Sequence, residues 1–249
     1  MPGMWKDEPW FNSPEVLLAS LEALYRRALA IGKIQSVLET TNKKIMANRG
    51  YAPAVPREAL SQAIEDLQIV YIPESIPPGP GFLFPIRDVT GEIRRLHIRL
   101  LDGATGGLRY LSIVDKHLFT GPPWLGNDEE TLERIINRKT VLVVEGPFDL
   151  LAVKALAPEF PALCPLTKRL GKLHKTYLEI LGVRRIITLW DDDAAGRKAS
   201  SRDLNGFQTL ALRPPGAKDP SDALLNYNSM CDLQDLIRSI PPVGEQDED

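Results

Sequence analysis

Val141-Leu142-Val143-Val144-Glu145-Gly146-Pro147-Phe148-Asp149 holds the key to the architecture. With Thr140 it begins as a short, unbroken apolar run, which reads as a strand covered on both faces and so lying inside a parallel sheet. Glu145 is delivered to the carboxyl end of that strand, Gly146 permits a tight turn, and Asp149 sits one helical turn farther on, facing the same mouth. Downstream the alternation continues. A helix over 147–157 is followed by a strand over 162–166, a helix over 173–181, a strand over 185–190, a helix over 194–203 and a strand over 207–212. Continuous apolar strands alternating with amphipathic helices imply an α/β lobe whose strands are buried on both sides.

Upstream the pattern changes. Phe82 to Ile86, Ile93 to Leu101 and Leu108 to Ile113 are short strands separated by turn-like Asp88-Val89-Thr90-Gly91 and by the glycine-rich run from Asp102 to Gly107, which fits a small antiparallel meander. Four prolines between Pro73 and Pro80 exclude a regular element there. Earlier still, Ser13-Pro14-Glu15 has the form of a helix start, and helices are expected over 33–48, ended by Gly50, and over 57–67. The organisation read from these shifts is a helical region at 1–67, a basic β-rich subdomain at 68–126, an α/β domain at 127–240 and an acidic tail at 241–249.

Composition narrows the class. The chain has 249 residues, a net charge of −3 and two cysteines, Cys164 and Cys231. Two distant cysteines support neither a structural zinc site nor a disulfide framework. No stretch approaches the roughly 18 apolar residues of a membrane span, and the first residues lack an export pattern. A soluble, cytoplasmic protein without a membrane partner is expected. A slightly acidic total makes whole-surface binding to nucleic acid unfavourable but leaves local basic patches open.

Functional groups in an open parallel sheet gather where strands end. Three such places are acidic. Glu145 and Asp149 form the first; they also suit a helix N-terminus through its dipole, so alone they leave two readings open. Asp191-Asp192-Asp193 directly after a buried strand is more specific, because three adjacent carboxylates repel one another unless a cation offsets them. Asp191 and Asp193, two apart, can point together at a hard divalent ion such as Mg²⁺. The third place is Lys218-Asp219-Pro220-Ser221-Asp222, by itself an ordinary turn with a helix cap.

Taken together, Glu145-Gly146 with Asp149, Asp191 with Asp193 and Gly196, and Lys218-Asp219-Pro220 resemble the Toprim domain in the form found in bacterial DnaG-type primases, over roughly Lys139 to Leu225. Phe84-Pro85-Ile86-Arg87-Asp88, Gly91, Arg99 and Arg109-Tyr110-Leu111 resemble the basic subdomain that precedes Toprim in that family. Between Gly81 and Gly126 six Lys or Arg stand against four acids, and strand alternation can gather several arginines on one face. The chain departs from the family in three respects. Cysteine is too scarce for the family's zinc-binding module, Arg109 stands where Lys is frequent, and Ser221 stands where a further Asp is common, with Asp222 one position later.

The resemblance implies a Rossmann-like Toprim fold with flanking helices, preceded by the meander and a helical N-terminal region. It implies primer synthesis on single-stranded DNA from NTPs by two-metal nucleotidyl transfer, with Mg²⁺ or Mn²⁺ as cofactor. Asp191 and Asp193 then bind metal, Asp149, Asp219 and Asp222 are additional ligands, and Glu145 either binds metal or acts as general base. Arg87, Arg99, Arg109, Lys168 and Lys172 become candidates for template or triphosphate contacts. A replicative helicase is a further implied partner, and a phage, plasmid or other mobile element an implied source. A Toprim nuclease and a non-catalytic nucleic-acid-binding or helicase-loading module are the alternatives.

Overall fold

The computed structural model describes residues 34–74, 80–87, 93–101, 109–114, 124–167, 170–190, 204, 206–241 and 243. The helix start at Ser13, the helix expected over 194–203 and the acidic end of the chain lie outside the described residues.

Two four-stranded sheets carry the fold. Helices α1 (Ile34–Arg49) and α2 (Arg57–Asp66) lead into an antiparallel sheet of β1 (Val70–Ile72), β2 (Gly81–Arg87), β3 (Ile93–Leu100) and β4 (Tyr110–Val114), paired in chain order. Helix α3 (Glu129–Arg138) opens the α/β lobe. There β5 (Thr140–Val144), α4 (Pro147–Leu156), β6 (Ala162–Leu163), α5 (Lys172–Ile180), β7 (Arg185–Leu189) and β8 (Gln208–Ala211) build a parallel sheet of order β6-β5-β7-β8. The four-residue α6 (Pro220–Ala223) and α7 (Tyr227–Arg238) follow. The mixed α/β class, with a parallel sheet flanked by helices and an antiparallel sheet before it, is the one implied by the sequence.

The central element is α4, whose ten residues are all buried. A helix that is apolar nearly all round belongs inside a protein, and α4 lies between the parallel sheet and α2, α6 and α7. Its two charged side chains therefore need partners. Asp149 finds backbone amides, described below. Lys154 donates from Nζ to Asp128 Oδ2 at 2.8 Å and to Thr131 Oγ1 at 2.9 Å. Asp128 is also the N-cap of α3, accepting from the Thr131 amide at 2.8 Å.

Pleating sorts the antiparallel sheet into two faces. Leu83, Leu96, Ile98 and Leu100 pack with Ile72 and Ile93 on one side. Phe82, Phe84 and Ile86 lie on the other, with Arg95, His97 and Arg99 of β3 and Tyr110 of β4 paired across from them in register. This second face sits on α4. Phe82 and Phe84 meet Phe148 edge-on, with ring centroids 5.6 and 5.4 Å apart. The largest apolar cluster runs without a break through α1, α2, β2, the lobe and α7. Gly126, at the junction, takes φ +84°, and a Cβ there would come within 3.0 Å of Leu150 Cδ2 and of the Ala162 carbonyl oxygen.

Two expectations need correction. The last strand of the parallel sheet is exposed along its length instead of buried on both faces: among the described residues it packs chiefly on β7, whereas β6, at the opposite edge, is buried beneath α4. The strand expected over 162–166 ends at Leu163. Pro165 cannot donate to a ladder, and Leu166 turns into the left-handed region at φ +56°.

Candidate active site

Parallel pairing puts Val144 beside Leu189, so the residues that leave β5 and β7 emerge at one edge of the sheet. Glu145 follows the first strand and Trp190 the second. Asp191 and Asp193, next in sequence, lie outside the described residues, as do Lys168 and the side chain of Arg87. Glu145 is half-buried; behind it the Cys164 thiol donates to the Glu145 carbonyl oxygen at 3.3 Å. Full burial pushes that thiol well above its ordinary pKa, which keeps it an inert hydrogen-bond donor.

Asp149 is a clamp. Its Oδ2 accepts from the Gly146 amide at 2.9 Å, closing the strand-to-helix turn, and its Oδ1 accepts from the Ser221 amide at 3.1 Å, 72 residues away in sequence. One carboxylate thus ties the turn after β5 to the start of α6. Ser221 is itself caged: Arg49 Nη2 donates to its Oγ at 2.7 Å, and the Tyr51 hydroxyl shares a 2.8 Å hydrogen bond with it. The Arg49 guanidinium lies over the Phe148 ring, 4.9 Å from its centroid. Burial pushes the Tyr51 hydroxyl up to about 12, against the opposing pull of Arg49. A neutral tyrosine therefore shares this cage with a cation and a carboxylate. A hydroxyl at position 221 suits the enclosed space between them.

Gly146 is needed for this geometry. A Cβ there would stand 2.8 Å from Asp149 Oδ2. Gly146→Ala is expected to lower stability by about 1–3 kcal/mol, the range for forcing a methyl into a packed site. Urea denaturation measures it; a loss under about 0.3 kcal/mol would mean that the carboxylate swings aside freely.

The other acids are drawn into their own turn. Asp219 caps α6 by accepting from the Asp222 amide at 2.7 Å, and Asp222 Oδ2 accepts from the Lys218 amide at 3.1 Å. The all-carboxylate donor set suits a hard divalent cation. Among the described residues no group of three or more His, Cys, Asp or Glu could hold a metal ion, so the fit depends on Asp191 and Asp193.

Across from α4 stands the polar half of the meander face. Arg99 lies over the Tyr110 ring, 4.7 Å from its centroid, and the His97 ring stacks on Tyr110 at 5.0 Å and 22°. Burial, then the charge of Arg95, pushes His97 down to about 4. Burial raises the Tyr110 hydroxyl, with Arg99 and Arg49 opposing and Asp149 adding. Arg109, just before β4, is exposed, as is Lys172 at the start of α5. His174 departs from the basic run around it: it is buried edge-on against Trp124 at 4.8 Å and accepts from the Gly171 amide. Arg49 carries no distinguishing mark in the sequence, since a basic residue at a helix C-terminus is accounted for by the dipole.

Comparison with known proteins places this geometry. Residues 142–224 match the family described as Toprim-like. The DNA primase of Chlamydia muridarum is 30% identical over 164 residues, covering 62% of this chain and 26% of that protein. The RNA polymerase domain of Mycobacterium tuberculosis primase DnaG superposes with a TM-score of 0.65 at 20% identity, covering 90% of this chain and 84% of that one. The same domain in complex with a double-stranded DNA oligomer carrying a 6-nucleotide overhang gives 0.65 at 21%, covering 90% and 79%. The chain spans about a quarter of the length of the curated relatives it matches. No helix among the described residues is long and apolar enough to cross a membrane. The chain carries a Toprim-like domain over residues 142–224 and, with the antiparallel sheet before it, resembles the catalytic core of bacterial DnaG-type primases.

Proposed function

We propose that this chain is a DnaG-like primase core that joins ribonucleotides into short primers on a single-stranded DNA template. The observation that supports this reading is the parallel register of Val144 with Leu189, which brings Glu145 and Trp190, the residue before Asp191 in sequence, to the same end of the sheet, while Arg95, His97 and Arg99 share one face of the meander. Glu145, Asp191 and Asp193 are assigned to the reacting centre, and Asp149, Asp219 and Asp222 to its support. When bound there, Mg²⁺ or Mn²⁺ would supply activation of the 3′-oxygen and neutralisation of the leaving pyrophosphate. Arg87, Arg99, Arg109, Lys168 and Lys172 are assigned to phosphates of template or triphosphate, contacts that position without reading sequence. Asp149 keeps the Glu145 turn and the Asp219 turn at fixed separation, which orientation-dependent transfer requires. A replicative helicase is proposed as a further partner.

The test is extension on labelled single-stranded DNA with NTPs and Mg²⁺. Glu145→Gln, isosteric but neutral, is expected to cut primer synthesis at least about 100-fold, the lower bound for losing a general base or its equivalent charge. Undiminished synthesis by Glu145→Gln overturns the assignment. Cleavage fragments without extension by the wild type would favour the nuclease instead.

A further inference from the structure

The amino end of the parallel strands, opposite the end that carries Glu145, is basic. Arg138 and Lys139 lead into β5, Arg184 and Arg185 lead into β7, and Arg238 closes α7 beside them. The Arg184 and Arg185 amides both donate to the Lys139 carbonyl oxygen, at 2.8 and 3.1 Å, which locks the two runs together. Glu159 joins Arg238 to the group: its carboxylate pairs with Arg238 Nε at 2.9 Å, and its carbonyl oxygen accepts from Arg138 Nη1 at 3.5 Å. Arg185 donates to Gln208 Oε1 and, at 3.0 Å, to the Pro241 carbonyl oxygen. Helix dipoles account for Arg138 and Arg238, which end α3 and α7. They do not account for Arg184 and Arg185, which open a strand beside Lys139. Like charges gathered at one end of a sheet repel one another unless anions offset them.

The sequence supplies such an anion next to this end. Val243 is followed by Gly244-Glu245-Gln246-Asp247-Glu248-Asp249, four carboxylates in six residues, and this segment leaves the fold at Pro241, whose carbonyl Arg185 holds. Six extended residues reach roughly 20 Å, more than the roughly 14 Å across four adjacent strands. Tethering makes the contact intramolecular, at an effective concentration in the millimolar range, so several ion contacts that are weak one by one suffice. We propose that the acidic segment 245–249 docks on the basic cluster of Lys139, Arg184 and Arg185 and covers the amino end of the parallel strands. The docked segment screens this end from the phosphates of nucleic acid and leaves the meander side as the basic surface of the molecule. Docking does not depend on the primase reading, which concerns the opposite end of the sheet.

Zero-length carbodiimide cross-linking of the full chain is the test, because the reagent joins a carboxylate to an amine only where the two touch. Lys139 is expected to couple to Glu245, Asp247, Glu248 or Asp249 of its own chain at about 10 mM salt and not at about 1 M, as the Debye length shrinks from about 30 Å to about 3 Å. The double substitution Arg184→Gln with Arg185→Gln keeps the Lys139 amine and removes two cations; it is expected to lower the yield about 2- to 30-fold, the range for two surface ion contacts. Arg238→Gln, on a side chain 51% exposed, is the second variant, expected to lower the yield in the same direction if melting shows the double substitution unfolded. No coupling of Lys139 to the segment at low salt, or a yield unchanged in the folded variants, overturns the proposal. Coupling found only between isotopically light and heavy chains mixed in equal amounts overturns it in favour of a second copy. Coupling abolished by an equimolar single-stranded oligonucleotide overturns it in favour of nucleic acid at this end. Primer synthesis is expected to stand in each case.

Discussion

Phe148→Ala is expected to lower the unfolding free energy by about 3–5 kcal/mol, the range for emptying a buried phenylalanine site, and to loosen the antiparallel sheet from the lobe. Phe148 lies inside the Glu145-to-Asp149 turn that forms the candidate site, and its ring fills the seam between the two sheets. Phe82 and Phe84 both meet it edge-on, a geometry worth about 0.5–1.5 kcal/mol per pair beyond burial. Arg49 lies over the same ring, so truncation also removes a support of the guanidinium that holds Ser221. Phe148→Leu, which keeps most of the volume, should lose far less. Guanidinium or urea titration measures both. The Ala variant should also become more susceptible to limited proteolysis. A loss under about 1 kcal/mol for Phe148→Ala would show that the sheets are held together elsewhere.

Which features were legible in the sequence depended on whether their cause was local. β5 was legible because its five buried residues form a β-branched apolar run of strand length ended by Glu145-Gly146. The meander was legible from its turns, and the gathering of Arg95 and Arg99 on one face follows from strand period alone. The exposure of β8 was not legible, since Leu210 and Ala211 look the same whether or not a helix covers them, and that cover is a matter of tertiary packing: the opposite edge strand, β6, is buried. In the site, the spacing of Glu145, Gly146 and Asp149 encodes the turn, because Asp149 reaches the Gly146 amide within one helical turn. The bonds from Asp149 to Ser221 and from Arg49 to Ser221 span 72 and 172 residues, and no periodicity records such a pairing. Asp219 and Asp222 show the opposite limit. Their spacing is equally suited to ligating a cation and to capping their own turn, and the hydrogen bonds they make are those of the cap.

Asp128→Ala is the second large effect, expected at about 3 kcal/mol of lost stability, the low end for stranding a buried charge. The low end applies because the Asp128 side chain is 34% exposed whereas that of Lys154 is 8% exposed, so water already screens one partner. The variant leaves the Lys154 ammonium inside the protein with Thr131 as its remaining partner and removes the N-cap of α3 as well. Lys154→Met should cost much less, about 1 kcal/mol, since it replaces the buried charge with an apolar chain of similar length and leaves an Asp that water can reach. Adding Lys154→Met to Asp128→Ala should recover most of the loss, because no buried charge is then stranded. The pH dependence has a definite sign. Burial alone would raise the Asp128 carboxyl, but Lys154 and the hydrogen bonds from Thr131 outweigh it and hold the group below its ordinary value. Its folded-state value is depressed, so the pair contributes its full stability above the ordinary carboxylate range and loses it as pH falls through that range toward the folded value. Thermal melts taken from about pH 5 downward, beginning just above the ordinary Asp value, should show wild type losing stability more steeply than Lys154→Met. Equal slopes, or a double variant no more stable than Asp128→Ala, would mean that this ion pair does not anchor α4 to α3.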